Sequence, residues 1–248
     1  MELRAAVNAF TTGFSFTRSL TFPFEVVEIG PLIVMRDRPL RKTGRAQEII
    51  ALDLPAEVAV RAIREYQPKR WFLCVIHPLS TPLLAVRAEY KQHQLRAMHS
   101  EPFFVRKTAG VSPIAAPWPV ERVRDIDRME RIHTAARRRQ ILPAHLTDHA
   151  PIRMFAAFDG DQPVGWVKSV DAGTGLAWVS NLWVHPDSRR RGLGAALMTT
   201  MLADDAQRGI TTSVLLASTA GASLYRTLGY DEIGVLQMMS PVKGAWDF

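Results

Sequence analysis

Apolar positions recur along the chain with two periods, and the change from one to the other separates strands from helices. Residues 152–158, 164–170 and 176–184 are β-prone and are separated by the turn sequences Asp159-Gly160-Asp161 and Asp171-Ala172-Gly173-Thr174-Gly175. Three strands joined by hairpin turns are therefore predicted. The period then lengthens: Leu193, Leu197, Met201 and Leu202 share one face at helical spacing, and Arg208-Gly209 supplies the stop. A strand over 213–217, a helix over 220–228 and a last strand over 233–239 follow. Upstream, 120–123 reads as a short strand. Ile126, Met129, Ile132 and His133 mark a helix over 126–138, and 141–146 reads as a second short one.

The first hundred residues are less regular. Residues 14–24 alternate aromatic with polar side chains and 25–35 are β-prone, which predicts two or three strands before Asp37. Asp37-Arg38-Pro39 and Lys42-Thr43-Gly44 carry turn chemistry. After a strand over 48–52, a helix starts at or just after Asp53, with Pro55 in its first turn and Pro68 closing it. Val58, Ala59, Ala62, Ile63 and Tyr66 form its inner face. Residues 71–76 are nearly all apolar, as in a strand buried on both faces. A helix over 83–93 and a hairpin built from 95–98 and 102–106 end this part. Residues 107–119, with Gly110, Pro113, Pro117 and Pro119, have the composition of a linker. The boundary is placed there, dividing an α/β region over 1–110 from a second unit over 111–248.

Composition narrows the picture. With 248 residues, 47% of them hydrophobic, the chain can bury a substantial core. No apolar run approaches membrane-spanning length, and no signal-peptide pattern opens the chain. Cys74 is the single cysteine, which excludes an internal disulfide and points to a reducing cytoplasm. No Cys/His spacing suggests a metal site. The net charge of +7 fits an anionic ligand, nucleic acid or plain solubility. Arginine clusters at Arg137-Arg138-Arg139 and Arg189-Arg190-Arg191.

The second cluster sits where the candidate chemistry lies. Between the strand ending at Pro186 and the helix beginning near Leu193 runs Arg189-Arg190-Arg191-Gly192-Leu193-Gly194-Ala195. The first amides of a helix lack internal partners and carry partial positive charge, and glycines let a ligand approach the backbone. Such a turn is a socket for phosphate or pyrophosphate; it would also serve as a tight bend with solvated arginines. Two alanines follow Gly194 where a P-loop needs Lys-Ser or Lys-Thr, and the dinucleotide fingerprint lacks its third glycine.

The segment resembles the acetyl-CoA loop of the GNAT superfamily of N-acetyltransferases, with Val184-His185-Pro186 followed by Arg189-x-x-Gly192-x-Gly194. Downstream, Ser218-x-x-Gly221-x-x-Leu224-Tyr225-x-x-x-Gly229-Tyr230 resembles the family's second anchor. The order of elements from residue 111 onward is also the family's. The resemblance implies an α/β GNAT fold, a mixed and mostly antiparallel sheet flanked by helices. It implies that the backbones of Leu182 and Val184 face pantetheine and the acetyl group. The amides from Arg190 to Ala195, including Arg191, Gly192, Leu193 and Gly194, would hold the pyrophosphate, with Arg189 at the rim. Ser218 and Tyr225 would contact CoA, and Tyr225 would protonate the leaving thiolate. The resemblance also implies acetyl-CoA as cosubstrate and a small-molecule or peptide amine as acceptor.

Ser218 and Gly221 depart from the family's asparagine and alanine, so the CoA contact there is weaker or absent. The strand over 176–182 carries no carboxylate to serve as general base. A water held by Ser180, Asn181 or backbone groups, or an amine arriving neutral, would have to replace it. His185 titrates in the right range but takes the variable position before Pro186, and His145, Asp148 and His149 fall where the family's substrate loops lie and read first as solvated loop residues. The helix and strand around Tyr90 faintly echo those around Tyr225. The first region therefore reads as a degenerate GNAT-like half that packs on the second, walls the cleft or makes a homodimer. A CoA-binding sensor without turnover and a basic nucleic-acid-binding protein are the alternative readings.

Overall fold

The computed structural model describes residues 1–41 and 43–246. Lys42, in one of the expected turns, lies outside them. The chain runs α1 (Leu3–Arg18), β1 (Phe24–Ile29), β2 (Leu32–Asp37), β3 (Gln47–Leu52), α2 (Ala56–Tyr66), β4 (Trp71–Pro78), α3 (Leu83–Gln92) and β5 (Leu95–Lys107). It continues β6 (Val120–Arg122), α4 (Ile126–Ala136), β7 (Ile152–Asp159), β8 (Gln162–Asp171), β9 (Leu176–Val184), α5 (Leu193–Gln207), β10 (Thr212–Leu216), α6 (Ala222–Thr227) and β11 (Asp231–Pro241). A 3-10 turn at Pro143–Leu146 replaces the expected short helix.

The order β1-β2-β3-α2-β4-α3-β5 is repeated as β7-β8-β9-α5-β10-α6-β11. Both halves have an α/β arrangement of mostly antiparallel strands flanked by helices, the layout expected from the resemblance. They share one sheet, eleven-stranded among the described residues, in the order β1-β2-β3-β4-β11-β5-β10-β9-β8-β7-β6. The last strands are exchanged: β11 lies between β4 and β5, and β5 lies between β11 and β10.

Strand alternation sorts side chains onto two faces. Ile50, Cys74, Phe103, Trp178, Val214 and Leu236 point to one, where α1 and α4 cover them. Phe104, Val179 and Leu215 point to the other, beneath α5 and α6, while Ile49, Leu73 and Val75 pack there under α2 and α3.

Two expectations are corrected. Residues 14–18 belong to α1, not to a strand: Ala6, Val7 and Phe10 are buried at helical spacing, and Phe10 packs on Trp178 with ring centroids 5.0 Å apart. The aromatic alternation after Phe14 is the outer turn of that helix and the loop behind it. Residues 95–107 form the single strand β5 instead of a hairpin, because β11 pairs along it from Asp231↔Val105 to Pro241↔Leu95. No helix among the described residues is long and apolar enough to cross a membrane.

Candidate active site

Strands β9 and β10 are parallel but pair only at Thr212↔Leu176, Ser213↔Ala177 and Val214↔Trp178. Beyond that point β10 stays with β5, through Leu215↔Phe104 and Leu216↔Phe103. On its β8 side β9 passes from Lys168↔Ser180 to Trp166↔Trp183, so two of its residues oppose Val167. Asn181 takes the bulge with φ +57. A bulge bends its strand, and here β9 turns from β10 and leaves a wedge-shaped gap. The equivalent strands of the first half stay closed, with six pairs from Gln47↔Trp71 to Leu52↔Ile76.

The bulge is held from outside the sheet. Asn181 donates from Nδ2 to Gln140 Oε1 at 2.7 Å and accepts from Arg138 at 3.2 Å. Lys168 Nζ donates to the same Gln140 oxygen at 3.1 Å. Burial, aided by the Arg138 charge, lowers Lys168 to about 7.

The open end of the gap meets the start of α5. Gly192 precedes that helix at φ +80, a conformation glycine adopts without strain. Arg190 also has a positive φ, +57. Among the described residues, the amides of residues 190–195 donate to no other group. They form a concentrated set of free donors at a helix N-terminus. Arg189, Arg190 and Arg191 are exposed around it. Arg189 Nε donates to the Val184 carbonyl at 3.1 Å, and the Arg191 guanidinium lies 4.4 Å from the Trp118 ring centre. A Cβ on Gly194 would come within 3.3 Å of Leu224, so this glycine brings α5 close to α6.

Leu182, Val184, Leu193, Ala195 and Tyr225 belong to one apolar cluster beside the gap. Tyr225 packs between Phe104 and Tyr230, at centroid distances of 6.0 and 5.7 Å. Its phenol makes no hydrogen bond among the described residues, and burial pushes it up to about 12. Ser218 Oγ accepts from the Gly221 amide at 3.3 Å, at the start of α6. His185 stands edge-on to Trp183, 5.8 Å between centroids. His145 is buried, its proton affinity lowered by burial and by Lys168, and its Nδ1 accepts from the Leu142 amide. Asp148 pairs with Arg122 and Arg124 at the surface.

On the opposite face of the sheet, under α1, a cleft of about 520 Å³ runs from β9 into the first half. Trp178, Ser180, Asn181 and Leu216 line it together with Glu48, Cys74 and Glu101. Glu48 accepts from Arg18 at 3.2 Å. Burial outweighs that guanidinium and pushes Glu48 up to about 7, with the Glu101 charge adding to the rise. Burial also raises Glu101, against the pull of His99. Neither carboxylate, nor Lys168, was marked by the sequence pattern. The one available signal was a charged residue on an otherwise apolar strand face, as Glu48 is beside Ile50 and Leu52.

Residues 150–232 match the family model of the acetyltransferase (GNAT) domain. Solved structures share the whole two-half architecture. A GCN5-related N-acetyltransferase from Kribbella flavida is 19% identical, with a TM-score of 0.68, covering 97% of this chain and 96% of its own. A GNAT-family structure from Novosphingobium aromaticivorans is 17% identical, with a TM-score of 0.55 and coverages of 95% and 97%. A GCN5-related N-acetyltransferase from Sphaerobacter thermophilus is 15% identical, with a TM-score of 0.54 and coverages of 89% and 85%. Comparison with curated proteins gives no match.

Proposed function

We propose that this chain, whose residues 150–232 are a GNAT domain, transfers an acetyl group from acetyl-CoA to an amine in a ternary complex. The observation that carries this reading is the meeting of the β9/β10 gap with the free amides of residues 190–195. The amides and arginines suit a diphosphate. The unpaired β9 edge from Val179 to Val184, including the Leu182 and Val184 backbones, suits the amide-bearing pantetheine arm and the thioester oxygen.

Tyr225, on the same side of the sheet, is the proposed general acid. A phenol held neutral by burial is a donor to a thiolate that develops only as the C–S bond breaks. Ser218, whose Oγ is engaged by the Gly221 amide, contributes little to CoA. The acceptor amine enters through the cleft under α1 and meets the thioester across the sheet. The unpaired, buried Cys74 is in keeping with a reducing cytoplasm.

The test is release of CoA thiol from acetyl-CoA with a panel of primary amines: an α-amino acid, a polyamine and a peptide with a free N-terminus. Release with at least one amine, and its acetylation by mass, is expected. Binding without release from any would favour the sensor reading.

A further inference from the structure

We propose that the first half supplies the missing base: Glu101 on β5, backed by Glu48 on β3, receives the proton of the acceptor amine. This rests on the acetyl-transfer reading and extends it, since β9 itself carries no carboxylate.

The exchange of strands puts Glu101 where a base is needed. β10 ends on β5 at Leu216↔Phe103, and the Ala217 amide donates to the Pro102 carbonyl at 3.1 Å. Glu101 is therefore just past the end of β10, where that strand has already parted from β9. It lies two residues from Phe103 on the face shared with Leu216 and Trp178. The cleft that contains it is continuous with Ser180 and Asn181 at the gap. Its side chain is 32% exposed, open to an incoming amine, whereas that of Glu48 is 9% exposed behind it. Two interacting carboxylates in a partly dry cleft bind one proton more readily than either alone, and their titration belongs to the pair.

The ammonium gives one proton to the Glu101 carboxylate, and the neutral nitrogen forms the C–N bond to the thioester carbon. The C–S bond breaks with its electron pair on sulfur, which takes the Tyr225 proton. The second nitrogen proton returns to the phenolate, and Glu101 gives its proton to water. Glu101 is thus a catalytic residue and Glu48 a positioning residue that attracts the cation and sustains its neighbour's proton affinity. The other titratable or charged groups around the pair are Arg18, bonded to Glu48, His99, 3.5 Å from Glu101, and Arg45, Arg138, Arg139 and Lys168 in the cleft lining. Cys74 is buried beside both carboxylates, which raise its thiol further.

The test follows kcat against pH in the full chain, with the amine panel above, beside calorimetric acetyl-CoA affinity. Glu101→Gln should lower kcat by about 100-fold or more and abolish the rising limb, with acetyl-CoA affinity kept within about twofold. Glu101→Asp should restore part of kcat. Glu48→Gln should move the limb to lower pH while keeping most of kcat, which a merely structural residue would not do. Wild-type kcat and an unchanged limb in Glu101→Gln overturn the proposal. A wild-type chain that binds acetyl-CoA without turnover, or binds none, overturns the acetyl-transfer reading itself, and the base with it.

Discussion

Gly192 holds a left-handed backbone at the mouth of the gap, with open space where a side chain would be. Aspartate there would both strain the turn and place negative charge among the free amides. Gly192→Asp should weaken acetyl-CoA binding by more than about tenfold, or 1.4 kcal/mol, and shrink the melting-temperature rise that acetyl-CoA gives. Tyr225→Phe removes one oxygen from a packed ring; turnover should fall much further than CoA affinity, as measured by kcat beside a binding titration. Glu48 allows a test of burial without any substrate. Its folded value, about 7, lies above its ordinary 4.5, so the native chain holds this proton more tightly than the unfolded one. Stability is therefore lost as pH rises from below 4.5 to above 7. Glu48→Gln should melt higher than wild type at pH 8, and the advantage should fade toward pH 5. The glycines were legible in the sequence because their meaning is local, a bend before a helix. Glu101 was not, because its role depends on a strand that pairs outside its own half.

Among the elements, α1 shows how tertiary contact overrides local pattern. Its aromatic alternation after Phe14 suits a strand, yet the helix forms because Ala6, Val7 and Phe10 are buried against β9 and its neighbours. Gly13 marks the closest approach: an added Cβ would be 2.3 Å from Trp178 Cβ. Gly13→Ala should therefore push α1 off β9, costing about 1–3 kcal/mol in a denaturant titration, and weaken acceptor binding more than CoA binding. By contrast, β7, β8, β9 and α5 were legible almost to their ends, since their turns are rich in aspartate and glycine and their periods change sharply. β5 was not: Pro102 suggests a break, and only pairing with β11 and β10 keeps the strand continuous through it.

At the scale of the molecule, the exchanged β5 and β11 tie two GNAT-like halves into one sheet. The division at residue 110 describes repeats of a pattern, and we infer that each half needs the other's last strand to close its sheet. Residues 1–110 and 111–248 produced separately should each lack stable structure by amide exchange, whereas co-production should restore a single unfolding transition. The repeat was only faintly visible in sequence, where Tyr90 echoes Tyr225, because packing conserves shape and burial more strictly than residue type. The halves also differ at this point: β3 and β4 stay paired along six residues, whereas β9 and β10 part after three. The proposed function therefore predicts one coenzyme site per chain. Calorimetric titration of acetyl-CoA into this 248-residue chain at low salt tests this directly. Binding at a stoichiometry of one per chain is expected; absence of heat, or two equivalent sites, would contradict it.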